Sequence, residues 1–205
     1  MRLHQRGDEY SIRVDNYELM NSRVHGSEDA LATRALARLP DRSAIRVLIG
    51  GLGMGFTLLA VLEEVGAKSE VVVSELVPAV VRWHRGPLAG VSAGALDDPR
   101  VAIREEDVAS IIRAERNVWD AILLDVDNGP QALTSKGNDR LYSMTGLRAS
   151  YDALRPGGIL AIWSSGPDAA FLRRLQQAGF EAEEIRARSH RAKGSMYVIW
   201  VAKRK

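Results

Sequence analysis

Three glycines, Gly51, Gly53 and Gly55, stand at every second position after the apolar run Val47-Leu48-Ile49 and just before Phe56-Thr57-Leu58-Leu59. Glycine lets a backbone take positive φ and lets a ligand come close without a Cβ in the way. A helix that starts directly after such a turn offers free N–H groups and the positive end of its dipole. A tight structural turn would use the same residues, so the motif needs context. Three acids supply it. Glu75, twenty residues after Gly55, can accept both hydroxyls of a ribose. Asp107 can accept from an adenine amino group while the Val108 N–H meets a ring nitrogen. Asp125 can orient an amine or take its proton. Each has a plainer use: a charge facing a helix dipole, a helix cap, and a carboxylate tied to its own loop. Leu52, Met54 and Leu76 complete the nucleoside-side set, and Asp127 and Asn128 stand beside Asp125 on the acceptor side. Met54, between two glycines, packs or lines a pocket.

The elements that must position these residues follow from periodicity. Short apolar runs alternate with helix-compatible stretches from residue 45 onward, which predicts a parallel sheet covered on both faces. Strands are expected at 45–49, 70–75, 101–104, 119–125 and 159–163, with helices at 56–65, 78–85, 108–115, 141–154 and 168–178. Two closing strands, near 180–185 and 196–202, flank a basic loop. Ligands in such sheets sit beyond the carboxyl ends of the strands. That rule gathers the glycines, Glu75, Asp107 and Asp125 on one edge. Residues 126–139 are long enough to form a lid. Before the repeats, residues 10–20 alternate about Asp15-Asn16 as a small β-hairpin, and Ser27 is placed to cap a helix reaching Leu39, ahead of Pro40. The division is a β-hairpin appendage at 1–26 and a nucleoside-binding domain at 27–205.

Composition narrows the chemistry. The 205 residues hold no cysteine, which excludes disulfides, thiolate metal sites and cysteine nucleophiles. The four histidines, His4, His25, His84 and His190, lack ligand spacing, so no metal is expected. The net charge is +2, and the late basic residues Arg186, Arg188, Arg191, Lys193 and Lys203-Arg204-Lys205 are interleaved with acids, so no nucleic-acid partner is expected. The polar first residues and the lack of a membrane-length apolar run predict a cytoplasmic protein.

Taken together, Gly51-Leu52-Gly53-Met54-Gly55, Glu75, Asp107, Asp125 and Leu154-Arg155-Pro156-Gly157-Gly158 resemble class I S-adenosylmethionine-dependent methyltransferases. The likeness runs from about residue 45 to the end and implies an α/β, Rossmann-like sheet, mostly parallel, with an antiparallel strand near the C-terminus. Glycines spaced G-x-G-x-G fit a dinucleotide dehydrogenase, G-x-G-x-x-G, less well. Within the class the chain is most similar to spermidine synthases and their short relatives. Asp125 then falls on the first aspartate of D-S-[ST]-D-P, which positions and deprotonates the attacking amine, and Leu141-Tyr142-Ser143 also matches. Two departures stand out. The family's G-G-G-D-G turn carries an aspartate for the amine of decarboxylated S-adenosylmethionine, where this chain has Met54. The second motif reads Asp125-Val126-Asp127-Asn128-Gly129-Pro130.

The resemblance implies S-adenosylmethionine or its decarboxylated form as the donor and a small molecule as the acceptor. The departures favour methyl transfer to a small amine or similar nucleophile over aminopropyl transfer, with a catalytically silent nucleoside-binding protein as a third reading. Asp125 would be the catalytic residue. Asp127, Asn128, Tyr142, Tyr10 and Arg23, with His25, would line the acceptor side, Trp163 is expected to pack in the core rather than wall the site, and a homodimer is expected.

Overall fold

A computed structural model describes residues 1–126, 140–188 and 196–205. Among the described residues ten strands and six α-helices follow one another. The first three strands, β1 (Arg2–Arg6), β2 (Glu9–Val14) and β3 (Tyr17–Asn21), form an antiparallel sheet of their own. The expected hairpin is its second half, with Val14 opposite Tyr17 and Asp15 at φ 52° in the turn. The first strand escapes sequence reading because Arg-Leu-His-Gln-Arg holds one apolar residue in five.

Helix α1 (Gly26–Leu36) begins one residue before Ser27. Ser27 is therefore not the cap: His25 holds that position without a side-chain capping bond, and the buried Ser27 hydroxyl instead donates to the Glu28 carboxylate at 2.5 Å.

The rest alternates as its apolar pattern predicts. Strand β4 (Arg46–Gly50) leads to α2 (Phe56–Glu64), β5 (Glu70–Ser74) to α3 (Pro78–His84), β6 (Val101–Arg104) to α4 (Val108–Ala114) and β7 (Trp119–Leu124) to α5 (Met144–Ala153). Then come β8 (Leu154–Ser164), α6 (Ala169–Gln177), β9 (Glu181–Arg188) and β10 (Met196–Lys203). Two boundaries differ from expectation. Helix α5 starts at Met144 because the Ser143 hydroxyl accepts from the Gly146 N–H at 3.2 Å and caps it there. Strand β8 runs straight through Pro156-Gly157-Gly158, where a turn was expected. Residues 157 and 158 instead exchange backbone bonds with Arg204, and the register with β7 shifts between Trp119 and Ala121.

The seven strands order as β6-β5-β4-β7-β8-β10-β9, all parallel except β10, which runs antiparallel to both neighbours. Alternation sends Val47, Ile49, Ala121, Leu123, Ile159 and Ala161 into one apolar layer beneath α1, α2 and α3. Leu48, Ile122, Leu124, Leu160 and Ile162 enter the other, beneath α4, α5 and α6. Burial on both faces is why these strands read as unbroken apolar runs. A third cluster joins the N-terminal sheet to the domain: Ile12, Met54, Phe56 and Leu88 are buried with Leu3, Tyr10 and Met20 against them. No helix among the described residues is long and apolar enough to cross a membrane.

Candidate active site

The chain winds outward from β4 in one direction through β5 and β6, then returns to the other side of β4 as β7. The crevice beyond the carboxyl end of β4 lies at that reversal, where ligands bind in open parallel sheets. Gly51, Gly53 and Gly55 have φ values of 91°, 51° and 83°. At Gly51 a Cβ would come 2.5 Å from the backbone oxygen of Asp125, and at Gly53 one would come 2.7 Å from the Met20 methyl of β3. The turn is therefore compressed between the next strand end and the N-terminal sheet, and only glycine satisfies both its torsions and its space. Gly55 stands as N-cap of α2 in the left-handed region without a side-chain cap, so the first-turn N–H groups of α2 stay available at the edge.

Glu75, at the end of β5, is buried and accepts from the Leu52 N–H at 3.0 Å and the Val77 N–H at 2.8 Å, one bond to each oxygen. It ties the glycine turn to the start of α3, and each oxygen keeps a second lone pair for a ligand hydroxyl. Beside it Leu76 is 69% exposed, an uncovered apolar side chain suited to lie under a flat ring. Asp107 caps α4 through the Ala109 N–H at 2.9 Å, on Oδ1. Its helix-capping role is thus real and occupies Oδ1, on a residue that is exposed. Val108 buries its side chain and, as first residue of α4, leaves its N–H outside the helical ladder. Met54 turns its side chain into the third apolar cluster, 2% exposed. Like Leu52 and Val108, whose side chains are packed into the two sheet layers, it has nothing left to offer but backbone.

Asp125 follows β7 directly, and its N–H bonds to the Gly50 oxygen at 2.9 Å. The Thr57 hydroxyl, from the first turn of α2, donates to its Oδ2 at 2.7 Å. The residue keeps intermediate exposure, but protein atoms crowd its carboxylate. That burial, and then the nearby charge of Glu28, push Asp125 up to about 7, against the downward pull of the Thr57 bond. Glu28, in the first turn of α1, is itself raised, chiefly by burial. The carboxylate best placed for proton transfer thus sits near neutrality, where a general base works well.

The acceptor-side residues fare differently. Tyr142 is 3% exposed, stacked edge-on against Phe171 in the second layer, with only its hydroxyl reaching the Val126 oxygen at 3.4 Å. It anchors the segment after Asp125 and does not wall the site with its ring. Tyr10 and Arg23 are not brought to Asp125: they line a polar cleft of about 280 Å³ in the N-terminal sheet, with Arg13 and Glu18. Arg23 pairs there with Glu9 at 3.5 Å. Asp127, Asn128 and the remainder of the expected lid at 126–139 lie outside the described residues. Trp163, the last residue but one of β8, follows Ile162, which pairs with Leu124 just before Asp125, and its ring lies against Tyr197 at 5.1 Å.

Three participants were not expected. Thr57 carried a signal, a lone hydroxyl in the apolar start of α2. Glu28 carried none, being far from Asp125 in sequence. His84, at the end of α3, is 3% exposed, and its Nε2 lies 2.9 Å from the Gly53 oxygen. A carbonyl only accepts, so Nε2 carries the proton, and Nδ1 is buried without a partner. Burial holds the ring below the usual histidine range.

No family model matches the chain. Over 193 residues, 90% of its length, it is 28% identical to polyamine aminopropyltransferase 1 of Streptomyces coelicolor, and it spans about a third (33%) of that relative. Its fold matches the crystal structure of spermidine synthase from Thermotoga maritima with a TM-score of 0.78 at 20% identity, over 100% of this chain and 72% of that one. It also matches the 1,6-didemethyltoxoflavin-N1-methyltransferase of Burkholderia thailandensis, with a TM-score of 0.62 at 20% identity, over 88% and 79% of the two chains. The chain has the Rossmann-like fold shared by spermidine synthases and class I methyltransferases. By sequence it is similar to the polyamine aminopropyltransferases.

Proposed function

We propose that the chain is a transferase domain that binds an S-adenosyl sulfonium nucleoside along Gly51–Gly55, Glu75, Leu76 and Asp107 and passes an alkyl group, by preference aminopropyl, to a small amine. The observation that carries this reading is Asp125: a proton acceptor held by Thr57, raised to about 7, and directly abutting the glycine turn. The sequence likeness to polyamine aminopropyltransferases, over nine-tenths of the chain, supports aminopropyl over methyl transfer and so reverses the preference drawn from the motifs alone.

The residues fit such a nucleoside: a carboxylate with spare lone pairs for ribose, an exposed leucine for the base, and an acid with a helix N–H beside it for the ring edge. When bound, the sulfonium supplies an electrophilic carbon and a thioether leaving group. The chain's own work is to bring the nucleophile to contact and receive its proton. An amine is nucleophilic only when neutral. Oδ1 of Asp125, opposite the oxygen engaged by Thr57, takes the proton as the nitrogen bonds to carbon. A desolvated carboxylate accepts it far more readily than an exposed one.

Methyl transfer remains the second reading on one observation. Met54 stands where the decarboxylated donor's ammonium meets an acid in the resembling family, and its side chain is packed away. Calorimetric titration with S-adenosylmethionine and with its decarboxylated form separates the two. Tighter binding of the decarboxylated donor, with an aminopropylated amine as product, is the expected result. Tighter binding of the carboxylated donor, with a methylated product, would replace it, and binding of neither would end the nucleoside reading.

A further inference from the structure

Two helices begin at the same place on this edge. His25, just before α1, stacks on Phe56, the first residue of α2, with ring centroids 4.5 Å apart. The next residue, Thr57, donates to Asp125. The first turn of α1 is thereby fixed over the strand end that carries Asp125, and α1 lies across β7 and β8. Two acids occupy that turn. Asp29 is bound to His25 Nδ1 at 2.8 Å. Glu28 accepts from the Ser27 hydroxyl through Oε2. Among the described residues no lysine or arginine is ion-paired with Glu28 or Asp125.

We propose that Glu28 is the second carboxylate of the acceptor site, bracketing the acceptor's ammonium with Asp125 and making the site selective for a cationic amine over a neutral nucleophile. The assignment rests on the transferase reading for the role of Asp125, and extends it to the substrate's charge. A helix-dipole role alone would leave Glu28 in water, as first-turn acids commonly are. Here it is partly buried and close enough for its charge to push the Asp125 carboxyl up. Two half-buried carboxylates without a cation are costly, and a bound ammonium relieves both. The Trp163 ring at the end of β8 adds an aromatic surface on the same sheet face, of the kind that favours cations.

The charged groups facing Glu28 are Asp29 and His25 from its own helix and Asp125 from beyond β7. Arg38, two residues past the end of α1, is tied to Glu183 of β9. Removing the Glu28 charge must therefore lower Asp125 from about 7.

The test is calorimetric titration of the full chain with 1,4-diaminobutane and with 1,4-butanediol, from pH 6 to pH 9. The wild type should bind the diamine and not the diol. Glu28→Gln should weaken diamine binding at least tenfold, shift its pH dependence to lower pH and leave nucleoside affinity within twofold, and Glu28→Asp should recover part of the loss. A purely structural Glu28 would move the melting temperature but not that pH dependence. Unchanged diamine affinity in Glu28→Gln, or no diamine binding by the wild type, overturns the proposal. Diamine binding that depends on Glu28, in a protein yielding no transfer product, sustains it and overturns the transferase reading instead.

Discussion

Glu75 and Asp125 end neighbouring stretches of one sheet edge, on either side of the glycine turn, and are built to opposite purposes. Glu75 has a backbone N–H on each oxygen, from Leu52 and Val77. Its charge is answered by groups that cannot move away. Asp125 has one hydroxyl, from Thr57, and another carboxylate for a neighbour. Its charge is left under-compensated. The first arrangement makes a fixed acceptor, which is what holding a ribose requires. The second makes a group ready to take a proton, which is what deprotonating an amine requires. Two acids of similar type, at similar depth, are set apart by the donors that surround them.

The largest effect should come from Asp125→Asn. Loss of a general base lowers turnover by about 10² to 10⁴, while nucleoside affinity should stay within twofold, and retained turnover would remove Asp125 from the mechanism. Stability should move the other way. A carboxyl raised in the folded state to about 7 from 3.8 binds its proton more tightly there than in the unfolded chain. It therefore destabilises the fold progressively as pH rises from 3.8 to about 7. The amide variant should melt several degrees above the wild type at pH 8 and match it near pH 4; a lower melting temperature at pH 8 would contradict the burial argument.

Glu75→Gln is the complementary break. An amide has one oxygen, so its NH₂ must face either the Leu52 or the Val77 N–H. Nucleoside affinity should fall roughly 10- to 100-fold, on the scale of a lost hydrogen bond to a charged group, with little change in turnover at saturating donor. If calorimetry finds donor affinity unchanged, Glu75 is a structural tie between turn and helix and nothing more. Thr57→Val sharpens the contrast rather than breaking it. It removes the one bond that pulls Asp125 down, so the acidic limb of the pH–rate profile should move to higher pH with a modest loss of turnover. An unmoved limb would mean that a group other than Asp125 sets it.

The glycine turn and its tie to Glu75 were legible in the sequence because their parts are local. Gly51, Gly53, Gly55 and Glu75 lie within one strand–helix–strand unit, and the apolar runs that place them are buried on both faces and so unmistakable. The acceptor half was not. Glu28 reaches Asp125 only because α1 crosses the strand ends, a relation that no spacing encodes. Arg2–Arg6 became a strand by pairing with β2, against its polar composition. Tyr10 and Arg23 were assigned to the site by position in the leader; Tyr10 instead packs on the cluster of Ile12, Met54, Phe56 and Leu88 at the edge of a separate cleft, and an ion pair with Glu9 holds Arg23 there. Local chemistry can be read from sequence, whereas convergence of distant elements needs the fold.

The smallest effect concerns the support beneath the turn. His84 donates from Nε2 to the Gly53 oxygen, while its buried Nδ1 lacks a partner. Protonating Nδ1 would place an unpaired charge against Gly55, near whose Cβ position the ring lies at 3.1 Å. The ring is held below 6.5 in the folded state. The unfolded chain therefore gains a proton first as pH falls through 6.5, and stability drops from there down to the folded value. This runs opposite to Asp125, whose contribution improves over the same acid range. His84→Gln keeps a donor for Gly53 without the titration, so donor affinity should fall no more than a few-fold while the loss of melting temperature between pH 7 and pH 5 becomes smaller. His84→Ala, lacking the donor, should weaken donor binding further than glutamine does. Equal donor binding in the two variants would show that the turn holds its shape without the histidine, leaving the glycine torsions and Glu75 as its support.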